Sequence, residues 1–553
     1  MTADPPDLPP PDLPPPDLPP PDLAPSDLLL PGLVAARARS APDAPALVLG
    51  EQVTTAGQLH ERAGALAAAL ADAGLAAGDR VVLFLQNDPA YVVALLAVWR
   101  LGGIAVAANP MLTARELRLI LDDSRARALV TLRDLHAAHG AEAVRGSTVT
   151  TVVTTDPFDP SPPVPEGTHD LDALVAAFRG RPAPEHAPGG DDTAVLTYTS
   201  GTTGRPKGAR NTHANVAAAG RAYRDWFSLA GAGPVLGIAP LFHVTGLSGH
   251  IAVALVAEVP LLLTHRFDAD AVLATVRRHR PAFTVGAITA VMALARASPD
   301  PRADFASFVA IASGGAPVAP ATVEEFEERT GCYVHNVYGM TETTSPTHSV
   351  PAGSRAPVDP RSGALSVGVP VPPCDTWIVD DGGRELGPGE IGELLVAGPR
   401  VVPGYWEKPE ETATAFAGGR LRTGDVGFVD AAGWFYVVDR LKDVIVAAGY
   451  KVWPRDVEDA LLGHPDIAEA AVVGEPDAYR GETVKAFVVP RPGRRLDADD
   501  LVAWSRTRVA AYKRPRVVEV VDALPRTNTG KVLRRELRAP AGAPPGPRPG
   551  SPD

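Results

Sequence analysis

The stretch Thr199 to Gly208, read with Tyr198 in front as YTSGTTGRPKG, constrains this chain more than any other. Glycines at 201, 204 and 208 allow backbone conformations and close approaches that a side chain would block. Thr199, Ser200, Thr202 and Thr203 offer hydroxyl donors, and Lys207 offers a compact point charge. Such a loop suits closure over polyphosphate. No glycine is followed after four residues by Gly-Lys-Ser/Thr, so the loop is not a Walker A sequence.

The surrounding pattern alternates helix and strand. Leu59, Ala63, Leu66 and Leu70 recur at helical spacing, and Val81 to Leu85 follows as a buried strand. Tyr91 to Leu101 reads as a helix, and Thr113 with Glu116 forms a capping box that opens another. Short β-branched runs, Val149 to Val153 and Val195 to Tyr198, alternate with these helices. This is α/β architecture with mixed, mostly parallel sheets. A boundary is expected near Asp439 to Asp443, after strands at Gly392 to Val396 and Trp434 to Val438. Beyond it, a helix from Pro454 to Leu462, strands at Ala468 to Val473 and Val484 to Val489, and a helix from Leu501 to Val509 describe a small α+β unit. The expected division is therefore a large domain over 28–439 and a small one over 440–538.

Two tails flank these units. Residues 5 to 23 repeat PDLPP with a period of five, placing Asp at 7, 12, 17 and 22. Proline at that density donates few backbone hydrogen bonds and favours extended polyproline II, so 1–27 is expected to be disordered or semi-stiff. The repeat is either a ligand for a partner or an inert expansion. The Pro/Gly/Ala-rich residues 539–553 are expected to be disordered as well.

Composition excludes several functions. A chain of 553 residues, 45% hydrophobic, has material for two or more cores. Its formal charge of −13 argues against a non-specific nucleic-acid binder, which would normally show a basic stripe. Cys332 and Cys374 lack any metal-ligand spacing and suit a reducing compartment. The longest apolar run, Ile251 to Leu263, is interrupted by Glu258 and Pro260 and is too short to cross a bilayer. With no basic start and apolar core at the N-terminus, a cytoplasmic location is the default expectation.

The glycine-hydroxyl-lysine string closely resembles the phosphate loop of the adenylate-forming superfamily of acyl-CoA synthetases, luciferases and peptide-synthetase adenylation domains. Four further segments resemble that family's tools. In NVYGMTE, Asn336 to Glu342, the resemblance implies that Asn336, Tyr338 and Gly339 contact the nucleotide, with Tyr338 stacking on adenine. Thr341 would then face the α-phosphate, and Glu342 would hold Mg²⁺, for which one carboxylate among phosphates and waters suffices. In ASGGAP, Gly315, Ala316 and Pro317 would lie along the adenine. Asp425 in RTGD would accept from the ribose hydroxyls, and Arg440 would reach ribose or phosphate. In PRTNTGK, Lys531 would bridge carboxylate and α-phosphate while the adenylate forms.

The resemblance covers about Leu30 to Arg538 and implies two half-reactions with ATP, Mg²⁺ and coenzyme A. Lys531 must leave before a thiol attacks, so the small domain is expected to be mobile about Lys442. Ala448 and Gly449 would then guide pantetheine through backbone contacts. His243 in APLFHVTG stands where amino-acid-activating relatives carry Asp, so an ammonium substrate is disfavoured. His243 is expected beside the carboxylate or as a pocket gate, with a packing role as the alternative. The apolar segments Gly286 to Met292 and Ala312 to Gly315 suit an aliphatic or aromatic acid. NPMLTARELRLILDD and GYKVWPRDVE look most like medium- to long-chain fatty acyl-CoA ligases. A ligase loading a carrier protein is the alternative, but no extra block between Val367 and Asp439 points that way. A non-catalytic binding protein is disfavoured by the joint presence of the loop, Glu342, Asp425 and Lys531. Oligomeric state stays open.

Overall fold

The computed structural model describes residues 28–159, 161–182, 186–199, 206–360, 362–440, 443–447, 450–452, 454–477, 481–506, 508–526 and 532–538. Both Pro-rich tails lie outside the described residues. So do Ser200, Gly201, Thr202, Thr203, Gly204, Lys442, Ala448, Gly449 and Lys531.

Four sheets carry the fold among the described residues. The first has seven strands in the order His169–Asp170, Thr151–Thr155, Ala128–Leu132, Arg80–Phe84, Ile104–Ala107, Thr193–Thr199 and Lys207–Thr212. Neighbours run parallel except the last pair, an antiparallel hairpin. Strands such as RVVLF and ALVTL are apolar along nearly their whole length, as a parallel sheet covered on both faces requires. The strand expected at Val149 to Val153 runs instead over Thr151–Thr155. Its threonines are β-branched, and the buried Thr154 hydroxyl is matched by that of Thr168 at 3.3 Å, so they extend the strand at no polar cost.

The second sheet has nine strands, ordered Val369–Pro370, His348–Ser349, Val334–Tyr338, Ala310–Gly314, Phe283–Gly286, Val235–Gly237, Leu261–Leu263, Pro45–Leu49 and Gln52–Thr55. Its centre is parallel and its outer pairs are antiparallel. The apolar run expected to be too short for a bilayer is broken between Val256 and the strand Leu261–Leu263, where Glu258 turns the chain at φ 55°. No helix among the described residues is long and apolar enough to cross a membrane.

Helix Pro89–Arg100 shows how the core positions the phosphate hairpin. Asp88 caps it by accepting from the Ala90 and Tyr91 amides, and Pro89 pre-sets its first turn. Apolar on every side, it is buried from Ala90 to Trp99. The Trp99 indole donates to the Ala194 carbonyl at 2.9 Å, fixing the helix to the strand that leads into the loop. The helix Ala56–Asp72 buries Leu59, Ala63, Leu66 and Leu70, and Thr113 closes its capping box with Glu116, both as expected.

A third, antiparallel sheet joins Asp375–Val379, Gly392–Ala397, Leu421–Val429 and Phe435–Arg440. The fourth, of five strands, belongs to the small C-terminal unit together with helices Pro454–Leu462 and Ala498–Ser505. The latter begins three residues before the expected Leu501 because Asp497 caps it, accepting from the Asp499 and Asp500 amides. Ile445, Val457, Leu461, Val472 and Val484 form a core for this unit, distinct from the cores of the larger sheets.

Candidate active site

The phosphate loop is the connection of a hairpin. Thr199 and Lys207 face each other as the last antiparallel pair, both half-buried, and the loop residues between them lie outside the described residues. Tyr198, just before the loop, donates its hydroxyl to Asp123 at 2.7 Å, and Lys408 Nζ meets the other oxygen of the same carboxylate at 2.8 Å. Gly208 packs closely against aromatic rings. A Cβ there would sit 3.2 Å from the Tyr198 ring and 3.6 Å from Trp406. On the hairpin's open edge runs Gly404 to Trp406: the Arg210 amide donates to Gly404 and the Trp406 amide to Gly208.

Two other expected segments meet at the carboxyl ends of adjacent parallel strands, the usual place for a ligand crevice in such sheets. Gly314 abuts the Val337 carbonyl, and Gly315 takes φ 82°, so both positions demand glycine. Gly315, Ala316 and Pro317 are exposed and can accept a ligand. Across from them, Tyr338 ends its strand, Gly339 follows, and Thr341 to Thr343 form a single 3₁₀ turn. Asn336 lies in the same strand, but its amide donates to the Ser366 carbonyl at 3.0 Å in the interior.

The turn is fixed from several directions. Asn211, on the strand leaving the phosphate loop, donates to the Thr341 carbonyl at 3.2 Å and to the Thr344 hydroxyl at 2.9 Å. The Ser248 hydroxyl donates to the Thr344 carbonyl at 2.8 Å, and the Val402 amide to the Glu342 carbonyl at 2.9 Å. Thr341 and Glu342 are buried. Glu342 Oε1 accepts from the Tyr405 hydroxyl at 2.8 Å, and the Tyr405 ring lies 5.5 Å from Lys207 Nζ. Burial, then the Glu342 charge, push the Tyr405 phenol far above its ordinary value, so it remains a donor. A cleft of about 410 Å³ opens here, lined by Lys207, Tyr405, Glu410, Glu411, Thr414 and Ala415.

Asp425 is buried and accepts from the Tyr338 hydroxyl at 2.6 Å. Across the next strand Asp425 pairs directly with Arg440, so the two residues expected at the ribose occupy one register position. His243 caps the short turn that follows it: the Thr245 amide donates to Nδ1 at 3.2 Å, which puts the proton of the neutral ring on Nε2. The segment leading to His243 is held by Asn87. Its amide nitrogen donates to the Gly237 and Ala239 carbonyls at 3.2 and 2.9 Å, and its oxygen accepts from the Leu241 amide at 2.8 Å. His250 Nε2 accepts from the Ala239 amide at 3.0 Å.

Sequence reasoning missed Tyr405, Asn211, Asn87 and Asp123. The signal for Tyr405 is its setting in GYWEKP, an aromatic pair between Gly and a charged stretch. For Asn211 there is no local signal, because its strand KGARNT is largely polar and its burial is set by the sheet. No group of three or more His, Cys, Asp or Glu side chains forms a metal cage among the described residues. One buried carboxylate, Glu342, beside the Lys207 cleft fits Mg²⁺ carried mainly by phosphate oxygens and water.

Several known proteins match most of the chain. The long-chain-fatty-acid–CoA ligase of Bacillus subtilis (strain 168) is 36% identical over 504 residues, covering 85% of this chain and 87% of that protein. Feruloyl-CoA synthase of an Amycolatopsis species is 38% identical over 502 residues, 91% of this chain and 97% of its own. Among solved structures, o-succinylbenzoate CoA synthetase from Bacillus subtilis with its acyl-adenylate intermediate superposes with a TM-score of 0.80, at 30% identity over 93% of this chain and 99% of that one. ATP-bound MatB from Rhodopseudomonas palustris gives a TM-score of 0.82 at 29% identity, over 92% and 98% of the two chains. Residues 34–406 match the AMP-binding enzyme family, residues 456–531 match the AMP-binding enzyme C-terminal domain, and the chain belongs to that family.

Proposed function

We propose that this protein is an AMP-forming acyl-CoA synthetase for an apolar carboxylic acid, a fatty acid foremost. The observation that carries the reading is the convergence of Lys207 and Tyr405 on one cleft, with the buried Glu342 bonded to the Tyr405 hydroxyl and Thr341 fixed beside it. Joining a carboxylate to the α-phosphorus of ATP brings anions together, so the site must supply positive charge and alignment. In the first half-reaction a carboxylate oxygen attacks the α-phosphorus and diphosphate leaves. In the second, the thiol of coenzyme A attacks the acyl carbonyl and AMP leaves.

The residues divide this work. Lys207 and the loop donors Thr199, Ser200, Thr202 and Thr203, with the backbone at Gly201 and Gly204, clamp the leaving diphosphate. Glu342 would hold Mg²⁺, which when bound would neutralise phosphate charge. Tyr338 and the backbone of Gly339 and Gly315 to Pro317 flank the base, and Asp425 with Arg440 orients the ribose. Asn336, in the same strand as Tyr338, contacts the nucleotide from the strand side. Lys531 stabilises the charge developing on the α-phosphate, while His243 borders the acyl carboxylate. A unit over 28–439 holds these groups apart from Arg440 and Lys531, and a unit over 440–538 brings and withdraws Lys531 about Lys442. The separate core around Ile445, Val457 and Val484 supports that division. Ala448 and Gly449 then guide pantetheine. The dependence on ATP and coenzyme A supports the cytoplasm as the site of action.

The experiment is a carboxylic-acid panel scored by diphosphate release and by free thioester, with and without coenzyme A. Aliphatic acids are expected to give thioester with coenzyme A alone. Turnover only with a phosphopantetheinylated carrier protein would contradict the reading.

A further inference from the structure

We infer that Tyr405 is a positioning residue that sets Glu342 for the metal and Lys207 for the phosphates, through opposite parts of one side chain. The inference rests on the proposed metal role of Glu342. It begins with a backbone that has little freedom. The Tyr405 amide donates to the Thr412 hydroxyl at 3.0 Å, and that hydroxyl donates to the Lys408 carbonyl at 2.7 Å. On either side, Gly404 accepts from the Arg210 amide at 3.0 Å and Trp406 donates to Gly208 at 2.8 Å. The segment is thus sewn to the strand that leaves the phosphate loop, and the direction of the Tyr405 side chain is fixed relative to that loop.

From there the ring reaches both functional groups. Its hydroxyl donates to Glu342 Oε1 at 2.8 Å, a charge-assisted bond that selects one carboxylate orientation. Its face lies 5.5 Å from Lys207 Nζ, within the range of cation–π attraction. Phe416 meets the ring edge-to-face at 5.7 Å and limits its rotation. Lys207 shares its cleft with Glu410 and Glu411, either of which offers a competing carboxylate. A ring face holds the ammonium by its quadrupole and so keeps Lys207 from being captured as a salt bridge. Outer partners of metal-binding carboxylates commonly tune affinity roughly 10–100-fold, because they fix the ligand's orientation.

The hydroxyl and the ring separate experimentally. Mn²⁺ replaces Mg²⁺ as a paramagnetic probe, and its binding is measured by electron paramagnetic resonance on the full chain with α,β-methylene-ATP. Binding of the analogue without metal and apo-protein thermal stability are measured alongside. Tyr405→Phe is expected to weaken Mn²⁺ about 10-fold or more while metal-free analogue binding stays as in wild type. Tyr405→Leu is expected to weaken both, and the Phe variant therefore to restore analogue affinity relative to Leu. If Tyr405→Phe binds Mn²⁺ like wild type while Glu342→Gln does not, the inference is overturned and the Glu342 reading survives. If Glu342→Gln also binds Mn²⁺ like wild type, the Glu342 reading falls and takes the inference with it.

Discussion

The Tyr338 hydroxyl donates to the Asp425 carboxylate at 2.6 Å, joining the end of a strand in the nine-stranded sheet to the centre of the antiparallel sheet. We propose that one residue flanks the base and the other the ribose, in which case this bond sets the spacing between the two. Tyr338→Phe keeps the ring and removes the bond, which costs about 1.5–3 kcal/mol for a charged acceptor. Tyr338→Ala also removes stacking, worth roughly 1–3 kcal/mol. The ATP KM is expected to rise in Phe and to rise about 10-fold further in Ala. Equal KM values in the two variants would remove the stacking role.

Lys531→Ala is expected to lower adenylate formation by about 10²–10³-fold, the usual loss for one group that stabilises developing charge. Thioester formation from supplied acyl-adenylate is expected to persist. Rapid-quench measurement of each half-reaction separates the two, and equal losses would contradict the division of labour.

Asn87 uses every polar atom of its amide to hold the segment before His243. Asn87→Ala leaves the Leu241 amide and two carbonyls in the interior short of a partner. Unfolding free energy is expected to fall by about 2–4 kcal/mol, with a rise in the KM for the acid and little change in the KM for ATP. Urea titration and steady-state kinetics check this. A stability loss with an unchanged acid KM would make Asn87 purely architectural.

Stability should depend steeply on pH. Burial pushes His213, His250 and His335 down to about 4 and His348 to about 3, from 6.5. These rings stay neutral when folded and take up protons when unfolded, so their contribution is present above 6.5 and lost as pH falls toward 3 to 4. Asp88 opposes them: burial raises it from 3.8 to about 7, so its contribution is present at low pH and lost as pH rises to about 7. Near pH 5.5, unfolding gains about four protons on histidines and loses about one from Asp88, a net of about three. Unfolding free energy is expected to rise by about 4 kcal/mol per pH unit there. Asp88→Asn, which still caps its helix, is expected to steepen the slope by about one proton. Denaturant titrations at pH 5 and 6 measure both, and a flat wild-type profile would contradict the assignment.

Much of the architecture was legible locally. Pro454 to Leu462 carries a helix with the expected bounds, and the Thr113–Glu116 box needs only four consecutive residues. The Thr199–Lys207 hairpin and the turn at Tyr338 could be recognised because their glycines and hydroxyls are contiguous. Contacts set by sheet register were not legible. Tyr405 and Glu342 are 63 residues apart, Tyr338 and Asp425 are 87 apart, and Asn87 and Leu241 are 154 apart. No local period encodes such pairs, because each depends on how two separately formed sheets dock. Asn336 is a further case: the resemblance implied nucleotide contact, and no local pattern announced that its amide donates to the Ser366 carbonyl 30 residues away.

Formation of an acyl-adenylate is the central claim, and the fate of carboxylate oxygen tests it most directly. An acid labelled with ¹⁸O in both carboxylate oxygens is incubated with ATP, Mg²⁺, coenzyme A and the enzyme, and the products are read by mass spectrometry. One ¹⁸O atom is expected in AMP, because the oxygen that attacks the α-phosphorus leaves with it when the thiol attacks the carbonyl. Label in inorganic phosphate with ADP as the product, or thioester formed with unlabelled AMP, would contradict the account.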